Sequence, residues 1–423
     1  MVKLLVIADD FTGALDTGVQ FRAKNSMVLV HKRGDQSLRD ILEKDMQVLI
    51  VDAETRHMSP DEAFQIVYDI VDTAVTLGVS YIYKKTDSGM RGNIGSELTA
   101  FLRASKSSRI HYIPAFPQMG RITVNGIHYV NGVPVSESIF GTDLFEPVRK
   151  SAVKEIIAEQ SDVTVYQMGK STANCTAKGI LVYDSATEEE MLRLALELKE
   201  KSQLHLLAGC AGLAAILFGM LGLQTVRPVL PDFNENLLTI CGSTNSVTVR
   251  QLDCASSAGM KRICLSPEQK LKKNWPDSEE GRAFIDGWKK NMCAGGNTII
   301  ECGVHDLERT SAYMRRKNID LTEARYRIAD TMGGVLKRLL DCGLQSTLLV
   351  TGGDTLLAFM QRIRQNTLVP ICELLSGVVL SRFEYNGNMY NLLSKSGGFG
   401  QEDLLLTLTE LIKEEYAGET VNN

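Results

Sequence analysis

The chain has 423 residues, 44% hydrophobic and 23% charged, an ordinary globular composition with length enough for two domains. Its net charge of −5 argues against nucleic acid or an anionic membrane as the main partner, while a local basic pocket for a small anion is still compatible with it. No apolar run approaches the ~20 residues of a membrane helix, and Asp9 and Asp10 cut the run Leu4–Ala8 short of a secretory leader, so a cytoplasmic location is expected.

Lys3–Ala8 reads as a buried strand, and a helix is expected from about Thr12 to Lys24. Val48–Val51 is a second apolar run. Pro60–Leu77 has helical periodicity with a proline at its start. Ser80–Lys84 reads as a strand, Ile94–Ala104 as a helix and Arg109–Pro114 as a strand. Strands alternating with helices predict a parallel, doubly wound sheet. The stretch Arg121–Val135 breaks the rhythm. Its pairs Asn125-Gly126 and Asn131-Gly132 are hairpin-turn signals, so a β-hairpin excursion is expected in the first domain.

The α/β rhythm resumes with strands at Val163–Gln167, Gly179–Tyr183 and Leu204–Ala208, a helix over Glu188–Lys201 and another from Ala211. Thr225–Asn236, with Pro228 and Pro231, reads as a linker. The second half predicts strands at Leu237–Cys241, Lys261–Leu265, Thr298–Cys302 and Thr347–Val350. Helices are expected over Ser246–Ser257, Glu279–Met292, Thr322–Asp341 and Glu402–Glu415. The resulting fold class is α/β: two doubly wound domains, residues 1–230 and 237–423, with largely parallel sheets. Nine cysteines, all from Cys175 onward, form no C-x-x-C pair. Cys302 and His305 lack a second ligand pair, so reduced thiols and no structural metal are expected.

In an open parallel sheet, ligands bind outside the carboxyl ends of the strands. In the first half those ends are ionic: Asp9-Asp10-Phe11-Thr12-Gly13, then Asp52 with Glu54 and Arg56, then Lys85-Thr86-Asp87-Ser88 followed by Arg91. Lys and Arg meet a carboxylate, and Asp accepts from hydroxyls, so such a cluster suits a polyhydroxylated acid. Each Asp could equally cap a helix. The adjacent Asp9 and Asp10 do not fit the aspartyl-phosphatase pattern, which separates its two aspartates by one residue. In the second half the strand ends are small and hydroxylic: Gly242-Ser243-Thr244-Asn245, Thr351-Gly352-Gly353-Asp354-Thr355 and Lys395-Ser396-Gly397-Gly398-Phe399-Gly400. Glycine lets backbone N–H groups approach a phosphate, and a following helix start favours negative charge. Neither the P-loop nor the dinucleotide fingerprint is present.

These pieces, together with Asp16-Thr17-Gly18, Pro114-Ala115-Phe116-Pro117 and Gly120-Arg121, resemble the four-carbon acid sugar kinase family over nearly the whole chain. The resemblance implies an ATP-dependent kinase that phosphorylates the terminal hydroxyl of an acid such as D-threonate or D-erythronate, in the cleft between the domains. Asp9, Asp10, Arg56, Lys85, Thr86, Asp87, Ser88 and Arg91 would hold the acid. Asp10 or Asp87 would orient or deprotonate its hydroxyl. Ser243, Gly352, Gly353, Asp354, Thr355, Lys395, Gly397 and Gly398 would hold ATP, with Mg²⁺ on its phosphates and no metal bound by the protein alone. The Lys85–Ser88 tetrapeptide resembles the threonate and erythronate members more than the 3-oxo-tetronate members. The chain departs from the family at Leu380-Ser381-Arg382, which lacks a usual glycine, and at Cys210 and Ile122. A 3-oxo-tetronate or other aldonate kinase, a non-catalytic sugar-acid sensor, an aldolase- or dehydratase-like enzyme, and assembly as a homo-oligomer all stay open.

Overall fold

The computed structural model describes residues 1–21, 26–30, 37–143, 146–172, 177–224, 229–292, 295–303 and 305–420. The end of the helix expected to reach Lys24, the start of the linker expected from Thr225, and Cys175 lie outside them. The chain forms two compact units, Met1–Arg227 and Pro228–Asn423.

The first unit holds strands β1 (Leu4–Ala8), β2 (Ser26–Val30), β3 (Val48–Asp52), β4 (Tyr81–Lys85) and β5 (Arg109–Ile113). It continues through β6 (Arg121–Val124), β7 (Ile127–Val130), β8 (Val133–Pro134), β9 (Val165–Gly169), β10 (Gly179–Tyr183) and β11 (Leu206–Gly209). Its main sheet is parallel, in the order β2-β3-β1-β4-β11-β5-β10-β9. All five residues of β1 and of β3 are buried, as expected of strands covered by helices on both faces.

The helix Pro60–Thr76 shows how local signals set one such cover. Ser59 accepts from the Glu62 backbone N–H while the Glu62 side chain reaches back to Ser59, and Pro60 occupies the first turn. Ala63, Ile66, Val67, Ile70, Val71 and Ala74 recur at helical spacing and form its buried stripe. Each large member contributes roughly 1.5–3 kcal/mol by leaving water, so a charge at Ile70 would undo the packing. Strands β6, β7 and β8 form the separate antiparallel sheet that the sequence predicts as a hairpin excursion. Asn125 and Gly126, then Asn131 and Gly132, all have positive φ, which is the geometry Asn-Gly supplies in tight two-residue turns.

The second unit holds β12 (Leu237–Cys241), β13 (Lys261–Cys264), β14 (Thr298–Glu301), β15 (Thr347–Thr351), β16 (Thr367–Leu375), β17 (Val378–Tyr385) and β18 (Asn388–Lys395). The order is β13-β14-β12-β15-β18-β17-β16, parallel up to β18, with β17 and β16 added antiparallel. The α/β class and the largely parallel sheets are thus as the sequence predicts. The antiparallel extension from 367 onward and the helices Leu307–Lys317 and Gly353–Arg362 are additions to that reading. Seven cysteines among the described residues are free thiols. Among the described residues, no helix is long and apolar enough to cross a membrane.

Candidate functional site

In the first unit β1 lies between β3 and β4, and the register places Ala8 opposite both Asp52 and Lys85. The residues that follow three separate strands are therefore neighbours. Lys85 closes β4 rather than following it. The Arg56 backbone N–H donates to the Asp9 carbonyl (3.1 Å), which fixes the turn carrying the Arg56 side chain.

The side chains lock into one network. Arg56 donates from Nε to Asp9 Oδ2 (2.7 Å) and from Nη1 to Asp10 Oδ2 (2.8 Å). Its Nη2 lies 2.7 Å from both Asp9 Oδ2 and Asp10 Oδ1, and 3.4 Å from Asp87 Oδ1. Lys85 Nζ bridges Asp9 Oδ1 (3.1 Å) and Asp10 Oδ1 (3.2 Å). Arg91 grips Asp87 with Nε (2.9 Å) and Nη2 (3.0 Å), and reaches Asp143 Oδ2 at 3.3 Å. Asp87 also accepts from the backbone N–H groups of Gly89 (3.1 Å) and Arg91 (3.2 Å). Asp10 caps the helix Phe11–Gln20 through Gly13 N–H (3.1 Å), so capping and the ionic network coexist in one side chain.

Burial opposes ionisation throughout this cluster, yet its charges balance one another. Around Asp9, the positive charges of Arg56, Lys85 and Lys84 outweigh burial and hold the carboxyl well below the ordinary carboxylate range. Asp87 is held low in the same way by Arg91 and Arg56. The attraction of Asp9 and Asp10 outweighs burial at Lys85 and keeps its ammonium firmly charged. Asp52 differs. Burial, then Glu54 and Asp10, push its carboxyl well above the ordinary value. Its Oδ1 accepts from Glu54 N–H (3.1 Å), while its buried Oδ2 has no partner.

Of the residues predicted for the acid, Asp9, Asp10, Arg56, Lys85, Asp87 and Arg91 come together. Thr86 turns inward, its hydroxyl between the Tyr112 hydroxyl (3.1 Å) and the Gly209 carbonyl (3.3 Å). Ser88 is half-buried in the loop that holds Asp87. Lys84, its sequence neighbour's equal in chemistry, projects to the opposite face and forms a wholly buried pair with Glu97 (2.9 Å). Residues not anticipated are Tyr112, His128, Phe140 and Asp143. Only the Asn-Gly turns hinted that the segment bearing His128 would approach the strand ends.

In the second unit β15 lies between β12 and β18, with Thr351 opposite both Cys241 and Lys395. The three glycine-rich turns are thus adjacent. A Cβ at Gly242 would stand 1.9 Å from Thr355 Oγ1, and one at Gly397 would stand 2.5 Å from Ser243 Oγ. Gly352 has φ +105°, a conformation open to glycine, and the helix Gly353–Arg362 starts directly after it. Asn245 caps the helix Ser246–Ser257 through Val247 N–H (2.9 Å), and a Cβ at Gly398 would come within van der Waals contact of its side chain. Lys395 is buried. Its Nζ donates to the carbonyls of Ser396 (2.9 Å) and Gly397 (3.4 Å) and to Thr248 Oγ1 (3.3 Å), and burial lowers its pKa to about 8. Asp354 neither caps its helix, whose N-cap is Gly352, nor stands apart: Arg325 holds it with Nε (2.6 Å) and Nη2 (2.9 Å). The divergent Leu380-Ser381-Arg382 lies within β17, opposite β18.

Two family models match the chain: a sugar-binding N-terminal domain over residues 4–217 and a nucleotide-binding C-terminal domain over residues 238–405. A D-threonate kinase from Salmonella typhimurium LT2 is 30% identical, the match covering 99% of this chain and all of that protein. A D-erythronate kinase from Heliobacterium modesticaldum is 26% identical, over 99% of each chain. A crystal structure of a Salmonella typhimurium LT2 protein, described there as a tRNA synthase, shares the fold, with TM-score 0.75 at 20% identity, over 96% of this chain and 98% of that one. Fold, strand-end chemistry and matches define a kinase built from a sugar-binding and a nucleotide-binding half. The chain belongs to the four-carbon acid sugar kinase family.

Proposed function

We propose that this protein transfers the γ-phosphoryl group of ATP to the terminal hydroxyl of D-threonate or D-erythronate. The observation that carries the reading is the Asp9–Asp10–Arg56–Lys85–Asp87–Arg91 network at adjacent strand ends, whose cations would meet a carboxylate and whose carboxylates would meet hydroxyls. The names of the two kinase relatives support this substrate pair. Residues 1–230 would serve the acid and 237–423 the nucleotide.

Within the network, Asp10 and Asp87 are the groups proposed to act on the hydroxyl. Asp87 already accepts from two backbone N–H groups and the Arg91 guanidinium, and pairs with Arg56 at 3.4 Å. Asp10 is the more open carboxylate, with 21% of its side chain exposed against 9% for Asp87. Asp10 is therefore the better placed of the two to meet a substrate hydroxyl, and Asp87 the better placed to hold Arg56 and Arg91 in position. Arg56 and Lys85 would bind the acid's carboxylate or flanking hydroxyls, with Thr86 and Ser88 shaping the loop.

A triphosphate suits the second unit. The space beside Gly242 and Gly397 admits no Cβ because the Thr355 and Ser243 hydroxyls fill it, and two helices begin at this edge. Ser243, Gly352, Gly353, Thr355, Lys395, Gly397 and Gly398 would hold the phosphates. Mg²⁺ would come bound to them, neutralising charge as the phosphoryl group leaves. Asp354 would act at the edge of this site by way of Arg325.

The test is ADP release from ATP and Mg²⁺ with D-threonate, D-erythronate and 3-oxo-tetronates offered separately. Turnover with D-threonate or D-erythronate is expected. Asp10→Asn should lower kcat by about 10²–10⁴-fold with the fold intact. A protein that releases no ADP with any of these acids would refute the reading.

A further inference from the structure

The small antiparallel sheet is anchored where β10 ends. Gly126 N–H donates to Asp184 Oδ1 (2.8 Å), and Thr123 and Ser185 exchange backbone hydrogen bonds at 2.9 and 2.8 Å. From this platform β7 sends the wholly buried His128 toward the 86–93 loop. His128 Nε2 lies 2.9 Å from the Ser88 carbonyl, and Nδ1 lies 3.0 Å from the Thr123 hydroxyl. A carbonyl only accepts, so Nε2 carries the proton and Nδ1 accepts from Thr123. Burial pushes the imidazole pKa down to about 4, which keeps this neutral form across the physiological range.

The carbonyl that His128 holds shares a peptide plane with the Gly89 N–H, which donates to Asp87 Oδ2 (3.1 Å). The two ends of one rigid plane are thus pinned, one by the hairpin and one by the carboxylate. Gly89 is permissive in φ, so little in the chain itself would stop this plane from rotating. Phe140 packs against Gly89. A Cβ at Gly89 would lie 2.7 Å from its ring, and the ring is covered by the guanidiniums of Arg91 (5.0 Å) and Arg121 (5.8 Å).

We propose that His128 is a positioning residue: through the Ser88–Gly89 peptide it sets the orientation of the Asp87 carboxylate, and with it the recognition of the acid substrate. The inference rests on the reading of this cluster as the acid site. Glutamine places an N–H donor near the position of Nε2, whereas alanine places none.

The test compares His128→Ala, His128→Gln and wild type by KM for the acid, KM for ATP, and amide hydrogen exchange without ligand. H128A should raise the acid KM about tenfold, the scale of one lost buried hydrogen bond, with the ATP KM within about twofold. Exchange across residues 88–91 should rise about tenfold, and H128Q should restore most of both. Thr123→Val, which removes the donor that fixes the tautomer, should show a smaller shift in the same direction and carries the comparison if H128A does not fold. Equal behaviour of H128A and H128Q, or equal shifts in both KM values, overturns the proposal. So does unchanged exchange at 88–91 in H128A. If the wild type phosphorylates no acid, the kinase reading fails, while the exchange measurement still decides the role of His128.

Discussion

Arg56 meets Asp9 side-on, with Nε and Nη2 both 2.7 Å from Oδ2. Asp9 is almost fully buried, so its carboxylate relies on that fork together with Lys85 Nζ at 3.1 Å. Arg56→Ala removes the largest share of that compensation, and a loss of about 3–5 kcal/mol is expected by chemical denaturation. Arg56→Lys keeps the charge without the planar fork and should fall between the two. An unchanged denaturation midpoint in R56A would show that the pair does not stabilise the fold.

The carboxylates predict opposing pH effects. Asp9 and Asp87 are depressed in the folded state. Their contribution is present above the unfolded carboxyl value of about 3.9 and is lost as pH falls toward their folded values. Asp52 is raised, so its contribution is full below about 3.9 and lost as pH rises through its folded value. Asp52→Asn keeps the acceptor for Glu54 N–H and removes the titration. The variant should melt higher than wild type at pH 7 and converge with it below about pH 4. Thermal melts across that range check both signs.

Lys395 titrates near pH 8 because it is buried. Its charge is present below that value and lost above it. Nucleotide affinity should therefore weaken between pH 7.5 and 9, and Lys395→Met should bind ADP weakly with a flat pH profile over this interval. Calorimetric titration with ADP reads the effect; an equal pH slope in K395M would remove Lys395 from the phosphate site.

Gly397→Ala places a methyl group 2.5 Å from the Ser243 hydroxyl oxygen, closer than atoms tolerate. Either that side chain or the turn must move. Nucleotide Kd is expected to rise about tenfold, the loss of roughly one hydrogen bond to a charged group, with acid binding unaffected. A parallel loss of acid binding would mean that the substitution disturbs more than the turn.

The strand-and-helix rhythm was legible because buried parallel strands read as short apolar runs, and the hairpin sheet because Asn125-Gly126 and Asn131-Gly132 demand positive φ. The same signal at Asn386-Gly387, also at positive φ, joins β17 to β18 and was there to be read. The helix Leu307–Lys317 left little trace, since Thr310 is its one buried residue and only the half-buried Tyr313 and Met314 pack against the core beside it. Within the proposed acid site, the ionic residues stood out by following apolar runs. Tyr112 and His128 did not, because a tyrosine or histidine inside a strand looks like any core residue until its partner, remote in sequence or across the fold, is known. The Arg325–Asp354 pair is hidden for the same reason.

Lys84 and Lys85 show how tightly the first site is bound to strand geometry. One turns to a sealed pair with Glu97 and the other to the ionic cluster, because successive side chains leave a strand on opposite faces. A one-residue slip in β4 would exchange the buried partner of Glu97 for the cation of the Asp9–Asp10 cluster and ruin both. On the proposed function, the strands of this scaffold would therefore be closed to gradual change of substrate. New preferences would arise in the loop from Thr86 to Asn93 and in the hairpin that contacts it, where single substitutions can reshape the cluster and leave the sheet in register.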